Sequence, residues 1–109
     1  MELSSYRAMW VLTMFDLPVK TREAKRRYAK FRKLLLEDGF SRMQYSVYGR
    51  HCPSEENAAV HIGRVERGLP PEGKVRILTV TDRQFEKMRC FWGNRQTRPE
   101  KAPKQLTLF

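Results

Sequence analysis

The sequence predicts an α+β fold in which two helices pack on one face of a sheet, and three observations predict it. Apolar residues recur with a strand-like period in some stretches and a helix-like period in others. The stretches alternate in the order strand, helix, strand, helix, strand, and Gly or Pro marks most of the joins between them. A chain of 109 residues with 40% hydrophobic content is long enough for one domain with a modest core and too short for two.

Each element has its own warrant. Arg7 to Phe15 is apolar on both faces, the pattern of a strand covered on each side, so it belongs in the middle of the sheet. Thr21 can cap a helix whose Ala24, Tyr28, Phe31 and Leu35 form one apolar stripe, and Gly39 stops it. From Phe40 to Cys52, Met43, Tyr45 and Val47 alternate with polar neighbours as in a strand, with Gly49 marking a turn or bulge. Pro53-Ser54-Glu55-Glu56 opens a second helix, acidic in its first turn as the helix dipole favours, with Ala58, Ile62, Val65 and Leu69 inward. After the loop Leu69 to Gly73, Lys74 to Thr81 is extended. Thr81 and Gln84 have capping-box spacing for a short helix through about Met88, and Arg89 to Gly93 forms a last short strand. Residues 1–93 are thus read as the domain and 94–109 as a basic, proline-containing tail ending in an apolar peptide.

Pattern alone leaves open whether Phe40 to Cys52 is one strand or a hairpin folding back near Tyr48-Gly49. The hairpin would give β-α-β-β-α-β, the ferredoxin-like order, with an extra short C-terminal strand. The first strand would then be central. The turn would lie at the Asp16 end of the sheet, beside Tyr48 and the first turn of the basic helix, and Asp82 would lie at the far end, unable to share a metal with Asp16.

Charge narrows the partner. Lys plus Arg number 22 against 12 Asp plus Glu, a net charge of +10, so nucleic acid is the first candidate. No apolar run approaches the roughly 20 residues of a membrane span, and Met1 to Ser5 lacks the basic-then-apolar order of a signal peptide, so the chain reads as cytoplasmic. Cys52 and Cys90 fit that compartment as isolated thiols without zinc-ligand spacing.

Two features carry chemistry. Asp16 is a lone carboxylate closing an apolar strand, and a strongly basic segment follows it. In that segment Arg22, Arg26, Lys30 and Lys33 recur at helical spacing opposite the apolar stripe, with Lys20 before them and Lys25, Arg27 and Arg32 flanking. Glu23 is the single acid among these bases, so the row repels itself unless a polyanion covers it. Tyr28 and Phe31 lie on the core stripe, so binding is expected to follow backbone and shape rather than sequence. The bland alternative for Asp16 is that it caps the Lys20-Thr21 turn. His51 and His61 read as surface or core-edge residues without a chemical role.

Met14-Phe15-Asp16-Leu17-Pro18, the basic helix ending in Leu35-Leu36-Glu37-Asp38-Gly39-Phe40, the strand Gln44-Tyr45-Ser46-Val47-Tyr48 and the segment Gly73 to Thr81 resemble, in that order, the CRISPR-associated endoribonuclease family. Its members are small ferredoxin-fold subunits of the CRISPR spacer-acquisition complex, and the resemblance runs from about Arg7 to Met88. It implies a homodimer in which each chain adds a C-terminal strand to the other's sheet, flanked by integrase subunits and bound to double-stranded DNA, with single-stranded RNA as another substrate. It also implies that Asp16 is a catalytic magnesium ligand. Magnesium commonly takes one or two carboxylates, so the second would come from Asp16 of the dimer mate. A non-catalytic RNA-binding module of the same fold is the alternative.

The final Gln105, Leu106, Leu108 and Phe109 suit partner docking by strand addition or pocket insertion, to the integrase or the dimer mate. They also resemble the short peptide by which bacterial proteins dock on the replication sliding clamp.

Overall fold

The computed structural model describes residues 7–103. Its elements are β1 (Met9–Asp16), α1 (Arg22–Glu37), β2 (Ser41–Gln44), β3 (Val47–Cys52), α2 (Glu55–Arg67), β4 (Lys74–Thr81), α3 (Asp82–Glu86), β5 (Cys90–Trp92) and β6 (Arg95–Thr97). Strands β2-β3-β1-β4 form one sheet in that spatial order, antiparallel throughout, with β1 inside it. This is the α+β, ferredoxin-like β-α-β-β-α-β arrangement. Thr21 caps α1 by accepting the Ala24 N–H at 2.9 Å, and Ser54 caps α2 by accepting the Asn57 N–H at 3.0 Å. The Thr81–Gln84 capping box that opens α3 is closed from both sides.

The hairpin forms, but its turn is not at Tyr48-Gly49. It is at Tyr45-Ser46, with Ser46 at φ 67°, and the Phe15 N–H donates to the Ser46 carbonyl at 3.1 Å, which holds the turn at the Asp16 end. Gly49 lies inside β3 opposite Leu12. A Cβ there would come within 2.4 Å of the Met43 sulfur and 3.1 Å of Leu12 Cδ2, so this glycine serves close packing. The irregularity falls instead in β2, between Arg42 and Gln44. Tyr48 is consequently a core residue, its ring 5.6 Å from that of Phe15.

Alternation along β1 sends Met9, Val11, Thr13 and Phe15 toward the helices, where they meet Ala24, Phe31 and Leu35 of α1 and Ala58 and Val65 of α2. Phe15 is central to the aromatic packing, 5.2 Å from Phe31 and 5.9 Å from Tyr28. Each fully buried large side chain here contributes about 1.5–3 kcal/mol. Leu69 departs from expectation: α2 ends at Arg67, and Leu69 lies beyond Gly68, 45% exposed. The buried positions on α2 are Ala58, His61 and Val65, and Ile62 is only partly buried.

The second face of β1 is only partly covered. Phe85 of α3 stacks on Trp10 with ring centroids 4.0 Å apart, whereas Leu12 and Met14 are half-buried and Leu78 of β4 is 48% exposed. The expected C-terminal strand is β5. It pairs with β6, which lies in the stretch expected to lack regular structure, through a two-residue Gly93-Asn94 turn. Arg95-Gln96-Thr97 carries no apolar alternation, so nothing in its composition signals a strand. Gln105, Leu106, Leu108 and Phe109 lie outside the described residues. No helix among the described residues is long and apolar enough to cross a membrane.

Candidate nucleic-acid interface

Asp16 ends β1 opposite Lys74 of β4, and its side chain is exposed. The adjoining backbone is tightly held. Gly73 sits at φ +92°, where a Cβ would lie 2.8 Å from the Asp16 carbonyl oxygen and 2.6 Å from Leu17 Cδ2. The helix cap, the alternative role for Asp16, is supplied by Thr21. Among the described residues, no hydrogen bond or ion pair engages the Asp16 carboxylate. The chain therefore fixes the position of this acid and leaves its oxygens available.

Among the described residues, no group of three or more His, Cys, Asp or Glu side chains converges at Asp16 or elsewhere, so a magnesium ion there would need a further carboxylate or phosphate oxygens. Asp82 does not help. It follows Thr81, whose partner is Met9 at the start of β1, and it accepts the Trp10 indole N–H at 2.9 Å.

Lys20, Arg22, Lys25, Arg26, Lys30 and Lys33 are all exposed, and none takes part in an ion pair among the described residues. Arg22 to Lys33 spans roughly 16 Å of helix axis, a length over which duplex nucleic acid presents many phosphates. The two flanking arginines are withdrawn from this face. Arg27 pairs with Glu72 at 3.2 Å, and the Arg32 guanidinium donates to the Tyr48 hydroxyl at 2.9 Å. The unengaged cations therefore form a narrower row than composition suggested.

A second charged cluster escaped sequence reading. Asp38, the C-cap of α1, takes His61 Nδ1 at 2.8 Å on one carboxylate oxygen and Arg64 at 2.8 Å on the other, while its carbonyl accepts from Arg50 at 2.7 Å. Burial pushes the Asp38 carboxyl upward, but the hydrogen bonds and charges of Arg64 and His61 outweigh it and hold the group below its ordinary range. His61 is thus a buried clamp between helices rather than a surface residue. His51 is half-buried at the other end of β1, its ring 5.3 Å from Trp10 and its Nε2 3.7 Å from Asp82. Neither imidazole is near Asp16. The available signal was an acid at a helix C-terminus, where the dipole disfavours it and a cation from elsewhere is required.

The family described as CRISPR associated protein Cas2 matches residues 9–88. A protein of Parvibaculum lavamentivorans named CRISPR-associated endoribonuclease Cas2 is 52% identical over 101 residues, covering 93% of this chain and all of that one. Its namesake in Flavobacterium psychrophilum is 45% identical over 107 residues, 98% of this chain and 93% of that one. A solved structure described as the crystal structure of cas2 superposes with a TM-score of 0.56 at 18% identity, covering 93% of this chain and 99% of that one, a likeness of fold. On the family match and these identities, the chain belongs to the Cas2 family of CRISPR-associated proteins.

Proposed function

We propose that this protein acts in CRISPR spacer acquisition as a cytoplasmic homodimer that binds double-stranded DNA along α1 and bridges integrase subunits. The row of exposed, unpaired cations from Lys20 to Lys33 carries the reading, because charges left without partners inside the fold are available to a polyanion. Dimerisation is supported by three surfaces that one copy leaves open. The sheet face bearing Leu12, Met14 and Leu78 is incompletely covered, and β4 is an edge strand to which another chain can add. Phe91 and Trp92 of β5 are 58% and 84% exposed, suited to burial in a second copy. Gln105, Leu106, Leu108 and Phe109 would dock on the dimer mate or the integrase, the sliding clamp being the lesser alternative.

The second reading is a magnesium-dependent endonuclease acting on single-stranded RNA or on DNA, favoured by the relatives' names and by the unengaged Asp16 carboxylate. It requires Asp16 of two copies near a two-fold axis, giving the pair of carboxylates that magnesium commonly takes. Bound there, the ion would activate water and stabilise charge on phosphate.

Two experiments separate the readings. Purified protein is incubated with single- and double-stranded RNA and DNA, with and without magnesium, as wild type and Asp16→Asn. Magnesium-dependent cleavage that Asp16→Asn abolishes, with integration unchanged, supports both activities as separate functions; integration lost while duplex binding persists would sink a purely architectural role. Replacing Arg22, Arg26 and Lys30 by Glu is expected to weaken duplex binding at least tenfold at low salt, and unaltered affinity would refute the cation row.

A further inference from the structure

Helices α1 and α2 do not close on each other along their outer edges. They leave a groove of about 840 Å³ whose apolar surface includes Leu34, Leu69, Pro70 and Pro71. Gly68 explains why it is apolar. Its missing Cβ would lie 2.1 Å from Leu34 Cδ1, so the end of α2 descends onto Leu34 and the following Leu69 is left 45% exposed in the groove wall.

The rim is cationic. Arg27, Lys30 and Lys33 of α1 face Arg64 and Arg67 of α2, against the acids Glu37 and Asp38. Asp38 is occupied by His61 and Arg64, and Arg27 by Glu72. Lys30, Lys33 and Arg67 remain without an ion-pair partner among the described residues. A phosphodiester backbone would use these cations and gain nothing from the leucines and prolines. A peptide with apolar anchors and acidic flanks would use both.

We infer that the α1–α2 groove docks an acidic, amphipathic helical segment of a partner protein, its apolar residues on Leu34 and Leu69 and its carboxylates on Lys30, Lys33 and Arg67. The wall contributed by α1, Arg27 to Glu37, runs about 15 Å, enough for two to three helical turns of ligand. This inference does not depend on the nucleic-acid reading. The two meet at Lys30 and Lys33, which serve both the groove and the exposed row.

The probe is a fluorescein-labelled helical peptide of about 14 residues, with Leu at spacings of three and four and Glu on the flanks, titrated against the full chain. A matched peptide with Lys in place of Glu is the control, and a DNA duplex is measured in parallel. Leu69→Ser and Arg67→Glu change exposed residues outside the core, and circular dichroism melts verify their folding. The acidic peptide is expected to bind in the micromolar range, the Lys peptide not at all, and each variant to weaken peptide binding about tenfold or more. Leu69→Ser is expected to leave duplex affinity unchanged. The inference is overturned if the acidic peptide fails to bind at about millimolar concentration, or if either variant binds it like wild type. It is also overturned if Leu69→Ser weakens duplex binding as much as peptide binding, which would make the groove a nucleic-acid site.

Discussion

Both ends of helix α1 carry charges of the wrong sign for its dipole, Glu23 being the favourable acid in the first turn, and the fold treats Asp38 at one end differently from the cations at the other. At the C-terminal end, Glu37 and Asp38 face partial negative charge; Asp38 is engaged by His61 and Arg64 at 2.8 Å each, while Glu37 has no ion-pair partner among the described residues. At the N-terminal end, Arg22, Lys25 and Arg26 face partial positive charge and have no ion-pair partner among the described residues. Asp38 is paired within the fold, whereas Arg22, Lys25 and Arg26 are not, and that difference distinguishes a charge the fold uses from charges it leaves open.

The comparison breaks most visibly at Asp38. Asp38→Ala strands His61 and Arg64; because Arg64 is half-exposed and partly screened, the expected loss is about 2 kcal/mol in a urea titration. The pH dependence has a definite sign. The folded-state pKa of Asp38 is depressed, so its contribution is fully present above the unfolded carboxylate pKa and is lost as pH falls through the folded value. Asp38→Asn should therefore flatten the acid limb of the stability profile. Next in size is Gly73→Ala, which puts a Cβ against the Asp16 carbonyl at a positive φ; a loss of about 1–2 kcal/mol is expected, measured by thermal melting.

How far the sequence revealed this structure depends on whether a signal was local. The apolar stripe of α1, the cap at Thr21, the capping box at Thr81 and the central position of β1 follow from period and spacing, and all are observed. The turn was misplaced because glycine marks both left-handed turns and close approaches, and at Gly49 the second reason applies, Met43 and Leu12 occupying the space. The partners of Asp38 were not legible because they come from β3 and α2, brought to the end of α1 only by tertiary packing. The exposed cation row was legible as a helical repeat. The withdrawal of Arg27 and Arg32 from it was not, since Glu72 and Tyr48 are distant in sequence.

Smaller effects sharpen the contrast at the other end of α1. Arg22→Glu removes a cation from the first helical turn and places an anion there, which the dipole favours, so stability should rise by about 0.3–1 kcal/mol while duplex affinity falls. A variant that gains stability and loses binding marks a residue retained for a ligand. Asp16→Asn should change stability by less than about 0.5 kcal/mol, because nothing among the described residues engages its carboxylate.

The decisive measurement is the salt dependence of duplex affinity, wild type against the Arg22→Glu, Arg26→Glu and Lys30→Glu triple variant. Each cation that neutralises a phosphate contributes about one to the slope of log affinity against log salt. The expected result is a steep wild-type slope, shallower by about three in the triple variant. Equal slopes for the two proteins would contradict the assignment of α1 as the nucleic-acid surface.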